Sequence, residues 1–496
     1  LDTHSKNIKP IISFLFYRGD YLFAFFGSLI MFGLAIHKYG LGVTFDSINY
    51  LSAGLTVTEG MKNADGTIFF EWPPLYPWIL SLSKFLSINI IKFASCFNYI
   101  TYAINILLTY HIIKQNVKNR SVSNAALLIL IFSIPLLQVH ILIWSEPFFM
   151  LLVLINLLVI NKYVKQKKFY LILILSFISL LLQLQRKAGV YFMISNILII
   201  IYYNRKSLLL HTIFYSIISI LVTASWFIGR HQVSGIYFGS YKFTPSAFGM
   251  LLQQFLNTFT SYFLPLPIPL AIRICILLAI LTLLFSYLLK KNINFLSLIK
   301  NNQFQFLSAV FTFFYFSILI LSLLFFHISE EIDDRILSPA YLPFLIFLFL
   351  FVDQLEVNFT KTARVIVIYS IVIWLVYCIG RTYHNMKRWN ETGTGGYNRI
   401  GWYQNVAIKN LLKEDNNQII LTNNVETLTY HLNFLSNKNF TILPMETKRN
   451  IENGLLVCFP PDLTSIKNDC AHDRWSKKEL ILNSRDGKIW KIKTPN

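Results

Sequence analysis

Charge is what this 496-residue chain lacks: only 14% of its residues are Asp, Glu, Lys or Arg, against about a quarter in a soluble domain whose surface must be hydrated. With 55% hydrophobic residues, that shortage requires lipid around most of the length. Cysteine is scarce too, and the five present have no metal-ligand spacing. Cys96, Cys275 and Cys378 fall in apolar runs as packing residues. Cys458 and Cys470 lie together in the polar C-terminal part, where a disulfide is open to them if that part is outside the cytoplasm. No Gly-rich phosphate loop, GxGxxG or Walker pattern occurs. Acid does not balance base either, since 44 Lys and Arg face 24 Asp and Glu, a formal charge of +20. A nucleic-acid partner does not follow, because the bases sit in short clusters between apolar runs instead of on one face.

What the chain has is apolar runs. A helix of about 20 such residues crosses about 30 Å of hydrocarbon. About eleven runs qualify, near 21–37, 91–113, 122–142, 146–161, 169–185, 188–203, 208–228, 266–289, 304–326, 336–352 and 364–380. Alternate connections are rich in base: Lys6, Lys9 and Arg18, then Lys114, Lys118 and Arg120, then Lys162, Lys165, Lys167 and Lys168. Arg205 with Lys206, Lys290 with Lys291 and Lys300, and Lys361 with Arg364 continue the series. The positive-inside rule makes these cytoplasmic, so the N-terminus is expected inside and the part after the last span outside. The first run follows several bases and has no small-residue cleavage site, so it is expected to remain as a span.

Two outer connections, about 38–89 and 229–265, are too long to be mere links, and loops of this length are usually functional. The first carries two segments able to form amphipathic surface helices around a turn at 62–66. The second has an apolar-aromatic stretch at 248–263. Beyond a turn-rich connector at 392–397, helical stretches at 402–413 and 425–432 alternate with strands at 418–424 and 454–459. This spacing predicts a small α/β domain. The expected organisation is a membrane domain over 1–390 and a soluble domain over 391–496.

Ionisable groups at the membrane rim are costly and so mark function. The outer rim is expected to collect Asp46, Glu59, Glu71, Glu146, Arg186, Lys187, Arg230, His327, Glu330, Glu331, Asp333, Asp334 and Arg335. Carboxylates beside cations suit a reaction in which a hydroxyl is deprotonated while a phosphate leaves. Each position has a plainer reading. Asp46 can cap a helix starting at Ser47, and Glu71 can merely precede a helix started by Pro73-Pro74. Glu146 can favour a positive helix N-terminus, and Arg186 and Lys187 can snorkel. Arg335 can belong to a solvated loop. The acidic run with His327 matches no metal-ligand spacing, so a divalent metal is not indicated. Trp402, Trp475 and Trp490 read as core residues of the soluble part.

Several short patterns, in order, resemble the GT-C superfamily of membrane glycosyltransferases, in particular bacterial members similar to protein O-mannosyltransferases and aminoarabinose transferases. They are Phe45-Asp46-Ser47-Ile48-Asn49-Tyr50 with Ala53, Pro73-Pro74-Leu75-Tyr76-Pro77, Ser145-Glu146, Gln185-Arg186-Lys187-Ala188-Gly189 and Asp334-Arg335-Ile336-Leu337-Ser338-Pro339. Ile420-Leu421-Thr422-Asn423-Asn424 and Tyr430 look like the soluble segment of some members. The resemblance implies a polytopic α-helical membrane protein of the bacterial cytoplasmic membrane with an extracytoplasmic α/β domain. It implies transfer of a sugar from a polyprenyl-phosphate donor, with inversion, to a protein or glycolipid hydroxyl on the outer face. Asp46 would be the general base. Tyr50, Glu71, Glu146, Arg186, Lys187, Asp334 and Arg335 would meet substrate. Ser47 after Asp46 matches the single-Asp members, whereas Glu71-Trp72 stands where many relatives have Lys before Pro-Pro. A transporter or flippase is the competing reading, although no internal repeat is apparent. A non-catalytic scaffold would leave the long first loop without a purpose.

Overall fold

A computed structural model of the chain describes residues 5–204, 209–234, 248–325, 331–358, 360–414, 418–436, 438, 440–445, 454–460 and 477–493. Among the described residues nine helices are long and apolar enough to cross a membrane. They are Gly19–Ile36, Ile90–Asn116, Arg120–His140, Glu146–Gln166, Leu209–Gly229, Leu270–Lys290, Gln303–Phe325, Asp334–Leu355 and Arg364–Thr392. Two shorter apolar helices, Phe169–Gln185 and Gly189–Asn204, occupy the remaining two expected runs. The chain is thus a polytopic α-helical membrane protein with a small C-terminal sheet. It forms two compact units.

The first unit comprises Leu1–Leu34, Asn98–His140 and Ser145–Met386. Lipid gives helices no hydrophobic reason to associate, so close packing and shared polar groups must hold them. Gln303–Phe325 packs on Asp334–Asn358, which packs on Glu146–Gln166, which in turn packs on Phe169–Gln185. Buried amides and hydroxyls bind these helices: Asn156 and Asn196 exchange bonds of 3.3 and 3.0 Å, and Asn196 donates to Tyr215 Oη at 2.9 Å. Ser133 and Tyr341 hydroxyls lie 2.7 Å apart. The helices Leu270–Lys290 and Arg364–Thr392 instead turn most of their apolar side chains outward, as Leu283 and Ile373 do. Cys96 and Cys275 are exposed, while Cys378 is buried.

The second unit gathers Ala35–Phe97, Ile141–Trp144 and Lys387–Asn496. Both helices expected in the first outer loop form, as Phe45–Leu55 and Leu75–Phe85. The second starts directly after Pro73-Pro74, buries Tyr76, Pro77 and Leu80, and exposes Trp78, Leu82 and Phe85. The tail carries a five-stranded sheet ordered Thr441–Pro444, Ile419–Thr422, Gly454–Cys458, Gly487–Lys493, Lys477–Ser484. The first three strands are parallel, and the closing hairpin is antiparallel. Ile420, Leu455, Val457 and Ile489 of the sheet bury one face against Ala407, Ile408, Leu428 and Leu432 of the tail helices. Cys458 is disulfide-bonded; Cys470 and Trp475 lie outside the described residues.

Candidate active site

In the first unit the centre is Glu146. It opens the helix Glu146–Gln166 ahead of Pro147, a residue suited to the first turn because its missing N–H would have no helical partner there. Its side chain is fully buried. An isolated carboxylate would be too costly at that position. Oε1 of Glu146 accepts from Arg186 Nη1 and from Arg335 Nε, so two guanidiniums share one carboxylate. The three side chains together carry one net positive charge, and both arginines remain partly exposed, at 18% and 17%. Such a set can receive an anion, since Arg presents a planar fork to phosphate oxygens.

The surroundings fix this triad. Arg186 Nη1 also donates to Ser145 Oγ at 3.1 Å, and Gln185 Nε2 donates to Ser145 O at 2.7 Å. From the other side, Asn105 Nδ2 donates to Pro147 O at 3.0 Å and lies 2.9 Å from His140 Nε2. Arg186 stands where the helix Phe169–Gln185 stops and the chain turns back into Gly189–Asn204. A Cβ on Gly189 would come within 2.6 Å of the Leu182 and Gln183 backbone, so only glycine permits that turn. Lys187 is exposed at the same turn.

Asp334 opens the helix Asp334–Asn358, and its Oδ2 lies 3.7 Å from Arg381 Nη2. Arg381 Nη1 donates to Ser261 O at 2.6 Å, a carbonyl that also accepts from Tyr377 Oη at 2.8 Å. Arg381 was not among the expected residues. A cation one position past the end of the last expected span is the signal that could have found it. Asp333 Oδ1 accepts from Ile336 N at 3.0 Å and so caps that helix. His327 and Glu330 lie outside the described residues, as does the side chain of Arg230. Among the described residues no three His, Cys, Asp or Glu side chains converge as metal ligands would.

The second unit holds Asp46, Tyr50 and Glu71. Asp46 is half-buried in the first turn of Phe45–Leu55. It does not cap that helix, contrary to the plainer reading. The helix begins two residues earlier than expected, and Thr44 is the cap. Thr44 N donates to Ser47 Oγ at 2.9 Å, the two hydroxyls lie 3.1 Å apart, and Trp144 Nε1 donates to Thr44 Oγ1 at 2.8 Å. Tyr50 is 2% exposed and its ring packs edge-on against Tyr76 and Trp72, with centroids 5.2 and 5.9 Å away. Trp72 in turn stacks on Phe69. Glu71, ahead of the proline pair, is exposed. Tyr397 and Glu426, which the sequence did not single out, share this neighbourhood. Burial, with the carboxylates of Glu426 and Asp46, pushes the Tyr397 phenol well up.

No family model and no curated protein matches the chain. Its fold, a bundle of membrane helices followed by a small sheet domain, nonetheless has counterparts among solved structures. In particular it is similar to the crystal structure of ArnT from Cupriavidus metallidurans bound to undecaprenyl phosphate, with a TM-score of 0.56 over 96% of this chain and 98% of that one. The apo structure of the same protein gives 0.55 over 93% and 95%. Sequence identities are 11% and 10%, so the likeness is one of fold.

Proposed function

We propose that the chain is a membrane glycosyltransferase that moves a sugar from a polyprenyl-phosphate donor to an acceptor hydroxyl on the outer face. The observation that carries this reading is the pair of partly exposed arginines on buried Glu146, within a fold shared with a protein crystallised with undecaprenyl phosphate. In the reaction the acceptor oxygen attacks the anomeric carbon as Asp46 takes its proton. The bond from that carbon to the phosphate oxygen breaks on the opposite face, so configuration inverts. The departing phosphate keeps the bonding electron pair, and its charge is met by Arg186, Lys187 and Arg335. Glu146 keeps the two arginines in place, and Asp334 does the same work through Arg381. Tyr50 and Glu71 are assigned to the substrate-contact set by the family resemblance, Tyr50 through the aromatic cluster it supports.

The charge bias of the loops supports a cytoplasmic N-terminus and an outer tail. The disulfide at Cys458 agrees, because such bonds persist in oxidising compartments. The acceptor is a protein or a glycolipid. The test is a panel of polyprenyl-phosphate sugars offered to the purified full chain, with release of polyprenyl phosphate as readout. Consumption of one donor supports the reading. Failure to bind or consume any of them overturns it, and movement of an intact lipid across the bilayer would point to transport instead.

A further inference from the structure

Within the second unit, the segment leading into the Asp46 helix is gripped from two directions. On one side Gly42 N donates to Ile141 O at 2.8 Å, and Ile143 N donates to Gly42 O at 3.0 Å. Trp144 then bonds the cap residue Thr44. On the other side lies the start of the tail, residues 393–399. Val43 N donates to Gly395 O at 3.3 Å, and Tyr397 N donates to Val43 O at 2.7 Å. Thr394 Oγ1 donates to Gly40 O at 3.0 Å. Asn398, fully buried, donates from Nδ2 to Tyr39 O at 2.5 Å and to Leu41 O at 2.6 Å. Its Oδ1 accepts from Tyr403 Oη at 2.5 Å, which fixes the amide so that its nitrogen faces both carbonyls.

Gly396 makes this approach feasible. Its φ is +59°, and a Cβ there would stand 2.0 Å from Val43 O. Both the left-handed backbone and the contact exclude a side chain. His431 Nε2 donates to Tyr397 O at 3.1 Å, tying the same segment to the tail's core.

We infer that residues 393–399 position Asp46: their backbone and the Asn398 amide hold 39–44 in place, and that stretch sets the first turn of the helix bearing the carboxylate. The turn-rich connector is therefore a part of the base's support. The inference rests on the assignment of Asp46 as base, and Gly396 and Asn398 act through Val43, Leu41 and Thr44, not on substrate.

The test compares Gly396→Ala and Asn398→Ala with Gly401→Ala, whose Cβ would meet nothing within 4 Å. Amide exchange over 41–48 and steady-state transfer are measured on the full-length protein. Both site variants are expected to exchange roughly tenfold faster over 41–48. In Gly396→Ala, kcat should fall about a hundredfold while the donor KM stays put, as misplacement of a reacting group predicts. Gly401→Ala should match wild type in both readouts. The inference is overturned if exchange over 41–48 is unchanged, or if it rises while kcat holds. Should Gly396→Ala not fold, Asn398→Ala, which adds no atom, decides by the same readouts. A wild type that transfers no sugar would refute the transferase reading, while the exchange arm still decides the positioning.

Discussion

Arg335 donates from Nε to Oε1 of Glu146, a residue 189 positions earlier in the chain, and does so where that carboxylate is fully buried. Arg186 reaches the same oxygen from a third helix end. The bonding ties together three helix termini of the first unit. The Asp333 carboxylate lies near enough to act electrostatically on both Arg335 and Glu146.

Glu146→Gln should be strongly destabilising. The amide cannot neutralise two guanidiniums, and removing one partner of a buried ion pair costs about 3–5 kcal/mol. The unfolding midpoint of the purified protein in detergent should fall accordingly. An unchanged midpoint would show that the arginines do not depend on this carboxylate.

Arg186→Lys keeps the charge and removes the fork. A charged hydrogen bond contributes about 1.5–3 kcal/mol, so affinity for undecaprenyl phosphate should drop roughly ten- to a hundredfold. Titration of that lipid against wild type and variant checks the expectation. Equal affinities would remove Arg186 from the phosphate site.

His431 gives the tail a pH dependence. Burial holds its imidazole down to about 4, the Tyr397 carbonyl offsetting this only in part. Because the folded pKa lies below the unfolded value near 6.5, the folded state holds fewer protons between them. The contribution is complete above the unfolded pKa and is lost as pH falls from 6.5 towards 4, by roughly 3 kcal/mol. Unfolding midpoints across that window should decline in wild type and lose that slope in His431→Gln. Parallel slopes would contradict it.

The helices were legible in the sequence because an apolar run of span length has one inexpensive arrangement in lipid. Each of the eleven runs contains helix among the described residues; nine helices are of span length, two are shorter, and the run at 122–142 is interrupted at Phe132 and Ser133. The strand Ile419–Thr422 and the helix Leu75–Phe85 were also readable, from alternation and from Pro73-Pro74. The pairing of Glu146 with Arg186 and Arg335 was not, since no local rule links residues 40 and 189 positions apart. The cap at Thr44 is not legible because Asp46 is the stronger capping type, and only Ser47 and Trp144 decide between them. The hairpin Lys477–Ser484 and Gly487–Lys493 is masked by its lysines. The glycines at 393–396 announced a turn, but their register against Val43 depends on contacts across some 350 residues.

The role of Asp46 as the base is tested by replacing it with Asn. Purified wild type and variant would be compared for transfer from the one polyprenyl-phosphate sugar that wild type accepts, with donor binding measured in parallel. Asp46→Asn is expected to bind donor as wild type does and to lose about a hundred- to ten-thousandfold in kcat, the span usual for a lost general base. Transfer by Asp46→Asn at the wild-type rate would contradict it.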